Sequence, residues 1–216
     1  RMKRLFTTLA LLSILAACAG PETMTGFDRP GLLERAPADR SADLQRADRH
    51  ILVVRHARKI SSDCNALDCP LSPQGEAMVV RLAELIGTPA VDQAYSSAAC
   101  RTLRTAEAGG QPVIAHQAGD GLETGCAAQD VITRSRAAAF ADAAASDARW
   151  TLVAEHSNTS CLWLTQFAGL DASQAVGCSD GRLADQAYGD IFWLYQLEGG
   201  WQVTMLPSAF EVDIEE

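Results

Sequence analysis

The sequence predicts an α/β fold: a three-layer sandwich with a mainly parallel central sheet, helices on both faces and a C-terminal β-hairpin. Three observations point there. Short unbroken apolar runs, Ile51-Leu52-Val53-Val54 and Trp150 to Ala154, suit strands buried on both faces. Stretches with apolar residues at helical spacing alternate with such runs. Near the end, Asp190 to Leu197 and Trp201 to Leu206 flank Glu198-Gly199-Gly200, the pattern of a hairpin. The chain has 216 residues, 48% apolar and 21% charged, enough to fill the core of one domain.

Taken in order, the chain begins with an address. Arg1, Lys3 and Arg4 precede an apolar run from Leu5 to Ala16, too short for a membrane-spanning helix of roughly 20 residues but suited to an export signal. Leu15-Ala16-Ala17-Cys18 resembles the lipobox of bacterial lipoproteins, which implies a signal peptide over residues 1–17 and acylation of Cys18. Several acyl chains anchor a soluble domain stably. Ala19, in place of Asp after the cysteine, resembles lipoproteins sent on to the outer membrane. Residues 18–49, with Pro21, Pro30 and Pro37 and little apolar periodicity, read as the anchor cysteine and a tether, with a short helix near Leu44.

The globular domain is expected over 50–216. Its first strand, 51–54, leads to a helix that Ser72 caps, Pro73 opens and Gly87 closes, with Met78, Val79, Leu82, Leu85 and Ile86 on one face. Ala90 to Tyr95 reads as a strand, Cys100 to Ala108 as a helix ended by Gly109-Gly110, and Pro112 to Ala115 as a short strand. Gln129 to Ala145 reads as an Ala-rich packing helix, and Thr159 to Ala168 as the helix after the second buried strand.

Composition excludes some functions and narrows the compartment. The formal charge is −9, or −12 once the three cations of the leader are gone, which argues against a general nucleic-acid binder. Without Cys18 six cysteines remain, an even number that suits disulfides in an oxidising compartment, with fifteen possible connectivities. Nearest-neighbour pairing is the working choice: Cys64–Cys69, Cys100–Cys126 and Cys161–Cys178. A zinc site at Cys64 and Cys69 is the rival, but no second close Cys or His pair completes it.

Chemistry concentrates in three segments just beyond predicted strands: Arg55-His56-Ala57-Arg58-Lys59, then Ser97 to Ala106 with Arg101, then Glu155-His156-Ser157-Asn158-Thr159. In open α/β sheets ligands sit beyond the carboxyl ends of the strands. Guanidinium forks match phosphate oxygens, and helix N-termini offer amide donors to anions. A neutral imidazole is a competent nucleophile toward phosphorus. His50 and His116 lie outside these segments and read as surface or core histidines, and Arg104 as solvated or ion-paired. The four tryptophans read as packing residues.

These segments resemble the histidine phosphatase superfamily, the phosphoglycerate mutase-like fold. The resemblance rests on Arg55-His56 after the first strand, Leu71-Ser72-x-x-Gly75, Ser97-x-x-x-Arg101-x-x-x-Thr105-Ala106 and Glu155-His156-Ser157-Asn158-Thr159, in register over roughly residues 51–160. It implies His56 as the nucleophile of a phosphohistidine pathway, with Arg55, Arg101 and His156 completing the phosphate pocket. Lys59, Ser157 and Asn158 would line it, Lys59 falling where a subgroup with Arg-His-Ala-Glu-Lys has its lysine. Arg58 stands in place of that subgroup's Glu. For the general acid the implied position is Glu123, with Asp120 or a more distant carboxyl as alternatives. Glu155 replaces the usual Gly beside the second histidine, and strand alternation turns it away from the pocket or toward capping the next helix.

The expectation is therefore a phosphohydrolase of the bacterial envelope, on the periplasmic side, acting on a small phosphate monoester without a metal or other cofactor. The alternative is a catalytically weak, anion-binding envelope lipoprotein of the same fold.

Overall fold

The computed structural model describes residues 27–119, 126, 132–198 and 200–213. Six strands form one sheet: β1 (Arg49–Arg55), β2 (Gln93–Ser97), β3 (Val113–His116), β4 (Trp150–Glu155), β5 (Ile191–Leu197) and β6 (Gly200–Leu206). Their order is β3-β2-β4-β1-β5-β6. Strands β3, β2, β4 and β1 run parallel, and β5 and β6 add an antiparallel hairpin beside β1. This is the mixed α/β sheet flanked by helices that the apolar patterning predicts.

The unbroken apolar run of β1 is explained by the two cores it separates. Leu52 and Val54 pack with Met78, Leu82 and Ile86 of α3 (Pro73–Ile86) on one face. Ile51 and Val53 pack on the other with Ala139 of α5 (Arg136–Ala145) and with Trp163 and Leu164 of α6 (Ser157–Ala168). Helix α4 (Cys100–Ala106), whose Ala106 joins the first core, continues as a 3-10 turn, Glu107–Gly109. Helix α7 (Leu170–Ala175) follows α6 directly.

Several boundaries differ from the sequence reading. The segment expected to be a tether is part of the domain from residue 27 onward. Helices α1 (Pro30–Leu33) and α2 (Ser41–Arg46) bury Leu32 and Leu44 in the first core. Arg29, 2% exposed, donates to the carbonyls of Ile86, Pro89 and Ala90 and lies over the Trp150 ring, while Asp28 accepts from the Trp150 indole. Two isolated leucines carry no periodicity, so nothing local signals their docking. The domain boundary at His50 is thus replaced by an earlier one. Strand β2 starts three residues later than expected, and α5 begins at Arg136, where Ser135 supplies its cap. Residues 1–17 and Cys18 lie outside the described residues.

Among the described residues the cysteines pair as nearest neighbours: Cys64–Cys69, Cys100–Cys126 and Cys161–Cys178, with Cα–Cα separations of 5.8, 4.8 and 5.6 Å. These are spacings that a disulfide requires.

Candidate active site

The parallel pairing of β1 and β4 sets Arg55 opposite Glu155, so the chain leaves both strands at the same level. His56 donates its amide to the Glu155 carbonyl at 2.7 Å, and the rings of His56 and His156 stand 5.4 Å apart, edge to face. His156 is the N-cap of α6, and Arg101 lies in the first turn of α4. A cavity of about 490 Å³ opens there, lined by Arg55, His56, Lys59, Arg101, His156, Ser157 and Asn158, together with Ser62, Asn65, Arg182, Asp185 and Tyr188. Four lining cations face one lining carboxylate, a local excess of positive charge in an acidic chain.

The motif residues that do not line the cavity hold those that do. Ser72 caps α3 by accepting from the Gly75 amide, and its own amide donates to the Arg58 carbonyl at 2.9 Å. A Cβ on Gly75 would overlap that carbonyl oxygen, so glycine is required where the helix passes behind the His56 loop. Thr105, fully buried in α4, accepts from the Ala57 amide at 3.0 Å and donates to the Arg101 carbonyl at 2.7 Å. One hydroxyl thus ties the histidine loop to the arginine helix. Ser97 and Thr102 share a further buried hydroxyl contact at the end of β2.

Hydrogen bonding sets the tautomers. Nδ1 of His56 lies 2.8 Å from the Ala57 carbonyl, which can only accept, so Nδ1 carries the proton and Nε2 keeps its lone pair. Burial, opposed by that bond, and the neighbouring His156, Arg101 and Arg55 hold the His56 pKa well below the ordinary histidine value. His156 is pulled down to about 4, by burial first; Glu155 opposes the shift, and Arg101, Arg136 and Arg55 add to it. Arg101 Nη2 stands 3.5 Å from His156 Nδ1, at the outer limit of a hydrogen bond. A guanidinium can only donate, so His156 Nδ1 accepts and its Nε2 carries the proton.

Arg55 donates to the carbonyls of Ala184 and Asp185 and to the Tyr188 hydroxyl, with its guanidinium 3.9 Å from the Tyr188 ring centroid. Arg101 donates to the Ala66 carbonyl at 2.7 Å. The Nε atoms of both arginines are buried without a hydrogen-bond partner among the described residues, so each has a donor left for an anion. Lys59 donates to the Ser62 carbonyl and to Asn65 Oδ1. Burial and the charges of Arg101 and Arg55 lower its pKa. Arg58 turns away, pairing with Glu211 at 2.6 Å. Arg104 pairs with Glu76 and Glu107 on the surface.

Two disulfides and one backbone bond secure the loops around these groups. The Cys64–Cys69 loop carries Asn65, with Ser62 just before it, and receives Arg101 on Ala66. Cys161–Cys178 ties α6 to the segment bearing Arg182, where the Leu183 amide donates to the Ser157 carbonyl. Arg182, Asp185 and Tyr188 escaped the sequence reading, as did Ser62 and Asn65. They sit in loops without periodicity or motif, and the Gly-rich composition of 177–189 marks only a loop.

Glu123 and Asp120 lie outside the described residues. Glu155 is fully buried and lines no part of the cavity. Among the described residues, no group of three or more His, Cys, Asp and Glu side chains is arranged to hold a metal ion.

A model of the histidine phosphatase superfamily (branch 1) matches residues 51–123, about a third of the chain. No curated protein matches the sequence. Among solved structures, the mycobacterial glucosyl-3-phosphoglycerate phosphatase with inorganic phosphate is similar at a TM-score of 0.53 and 17% identity. That match covers 76% of this chain and 100% of the other. A candidate alpha-ribazole-5'-P phosphatase from Escherichia coli is similar at a TM-score of 0.50 and 14% identity, over 77% of this chain and 99% of its own. At such identities the structural likeness speaks for the fold, and the sequence match falls on the segment bearing Arg55, His56 and Arg101. Over residues 51–123 the chain is similar to the histidine phosphatase superfamily (branch 1), and its fold is similar to that of these solved phosphatases.

Proposed function

We propose that this protein is a phosphohydrolase that cleaves a small phosphate monoester through a phosphohistidine on His56. One observation carries the reading: His56 Nδ1 is committed to the Ala57 carbonyl, leaving Nε2 as a lone-pair donor in a cavity shared with Arg55, Arg101 and His156. In the first step Nε2 attacks phosphorus, the N–P bond forms, and the ester P–O bond breaks. The leaving oxygen takes a proton from a carboxyl, for which Glu123 is the candidate and Asp120 the alternative. In the second step the carboxylate left by the first takes a proton from water, the water oxygen attacks phosphorus, the N–P bond breaks, and phosphate leaves with His56 and the carboxyl restored. Arg55, Arg101 and the Nε2 proton of His156 stabilise charge on the three transferring oxygens in both steps. This chemistry needs no metal or other cofactor.

The depressed His56 pKa supports the assignment, because a nucleophilic imidazole must be neutral, and this one stays neutral below pH 6.5. The three cysteine pairs and the leader-like N-terminus support export to the envelope, with Cys18 as the lipid anchor.

The test is turnover of p-nitrophenyl phosphate by the wild type and by His56→Ala, with phosphate affinity measured in parallel. Turnover in the wild type, loss in the variant and an acid-labile phosphoenzyme in quenched wild type are expected. Tight phosphate binding without hydrolysis between pH 5 and 8 would overturn the enzyme reading in favour of an anion-binding lipoprotein.

A further inference from the structure

Glu155 occupies the position beside His156 where the resemblance calls for glycine, and its side chain has no place in the cavity. It points instead beneath the first turn of α6, where three groups converge on its carboxylate. The Thr159 hydroxyl donates to Oε2 at 2.6 Å, and the Trp163 indole donates to Oε1 at 2.9 Å. His116 Nε2, from the end of β3, lies 2.9 Å from Oε1 as an ion-pair contact off the line of a well-directed hydrogen bond. Both side chains are fully buried.

The protons can be assigned. Nδ1 of His116 lies 2.9 Å from the Gln117 carbonyl and must donate to it. An unprotonated Nε2 this close to a carboxylate oxygen would set two lone pairs against each other. One proton therefore lies between Nε2 and Oε1, and because both Glu155 oxygens already accept, from Thr159 and Trp163, the geometry favours the ionised carboxylate with the proton on His116. Burial works to raise the Glu155 pKa, but His116, Thr159 and the field of His156 outweigh it and hold the value at about 2.

A buried ion pair is a poor choice for stability alone, since desolvation offsets much of the attraction and an apolar pair would serve the core as well. What it adds is direction. With its proton drawn to Glu155 at 2.6 Å, rather than to the His156 carbonyl at 3.4 Å, the Thr159 hydroxyl is fixed as acceptor for the His156 amide at 3.0 Å. We propose that the buried His116–Glu155 pair is a positioning device for His156, acting through Thr159 so that the imidazole presents Nε2–H to the transferring phosphoryl group. This rests on the phosphatase reading above. It makes Glu155 and His116 positioning residues that link the edge strand β3 to the centre of the site.

A double-mutant cycle between Glu155→Gln and His156→Gln tests it, with p-nitrophenyl phosphate turnover and inorganic phosphate affinity as readouts. Residues in one hydrogen-bonded network couple, whereas independent ones add. In the wild-type background Glu155→Gln is expected to lower kcat about tenfold while moving KM less, and in the His156→Gln background that loss should vanish. Thr159→Val, which removes the relay hydroxyl at nearly constant volume, should show the same coupling and serves if Glu155→Gln does not fold. Ring nitrogen NMR at pH 7 should show both nitrogens of His116 protonated. An undiminished loss in the His156→Gln background, or a bare ring nitrogen on His116, overturns the proposal. If the wild type turns over nothing, the phosphatase reading fails; the cycle on phosphate affinity and the His116 signature still decide this one.

Discussion

Replacing Thr105 by Val tests how the site is held together, because it removes one oxygen and almost no volume. The Thr105 hydroxyl accepts from the buried Ala57 amide and donates to the Arg101 carbonyl. Valine leaves that amide without an acceptor, at a cost of about 1–3 kcal/mol. Helix propensity is unchanged between the two β-branched residues, and the extra methyl recovers a little by burial, so a net loss of about 2 kcal/mol is expected. For a domain of this size that lowers Tm by about 4–8 °C. Activity should fall further than stability implies, since Ala57 follows the proposed nucleophile His56 and Arg101 loses its tie to that loop. A drop in kcat/KM of about tenfold to a hundredfold is expected, the scale that follows from a small misplacement of reacting groups. Urea melts and p-nitrophenyl phosphate kinetics at 25 °C measure both, with Thr105→Ser as the control that keeps the hydroxyl. If Thr105→Ser loses as much as Thr105→Val, or if Thr105→Val changes neither readout, the hydroxyl does not couple the two segments.

Gly75→Ala should destabilise by roughly 1–3 kcal/mol despite alanine's better helix propensity, because the new Cβ meets the Arg58 carbonyl; an unchanged urea midpoint would show that α3 shifts freely. Acidification should destabilise the protein below pH 6.5. The folded pKa of His50 is pushed down to about 3 by burial first, its Nδ1 accepting from the Trp193 indole, and those of His56 and His156 are also lowered. The unfolded chain therefore takes up more protons, and each group costs on the order of 1.4 kcal/mol per pH unit down to its folded pKa. A urea midpoint that holds or rises between pH 7 and pH 5 would contradict this. Lys59→Met should weaken substrates bearing a second anionic group by up to about fivefold, judged by 6-phosphogluconate against sorbitol 6-phosphate. An unchanged ratio between these two would show that Lys59 reads no second charge.

Most of the sheet and half of the site are legible in the linear chain because they rest on local physics. The run at 51–54 is apolar on both sides since β1 has a core on each face, and Ser72-Pro73 starts α3 through a cap bond three residues long. Arg55, His56, Arg101 and His156 are legible because each ends or directly follows a strand or lies in the first turn of a helix. The motif text also marks Gly75 and Thr105, although only the packed structure gives them a task. A short helix near Leu44 was legible, but α1 and the docking of both helices were not, since Leu32 and Leu44 are isolated apolar residues whose partners lie far along the chain.

Near-neighbour spacing in the linear chain sets the alternation of strands and helices and the residue types gathered at the strand ends. Tertiary structure alone decided that residues 27–48 belong to the domain, that Arg182, Asp185 and Tyr188 complete the cavity wall, and that Glu155 meets His116 beneath His156. The physical reason is separation along the chain. Arg55 meets Tyr188 133 residues away, and Arg29 meets the Ile86 carbonyl across 57. Nothing in a stretch of sequence encodes such a partner until the sheet order has brought the two segments side by side.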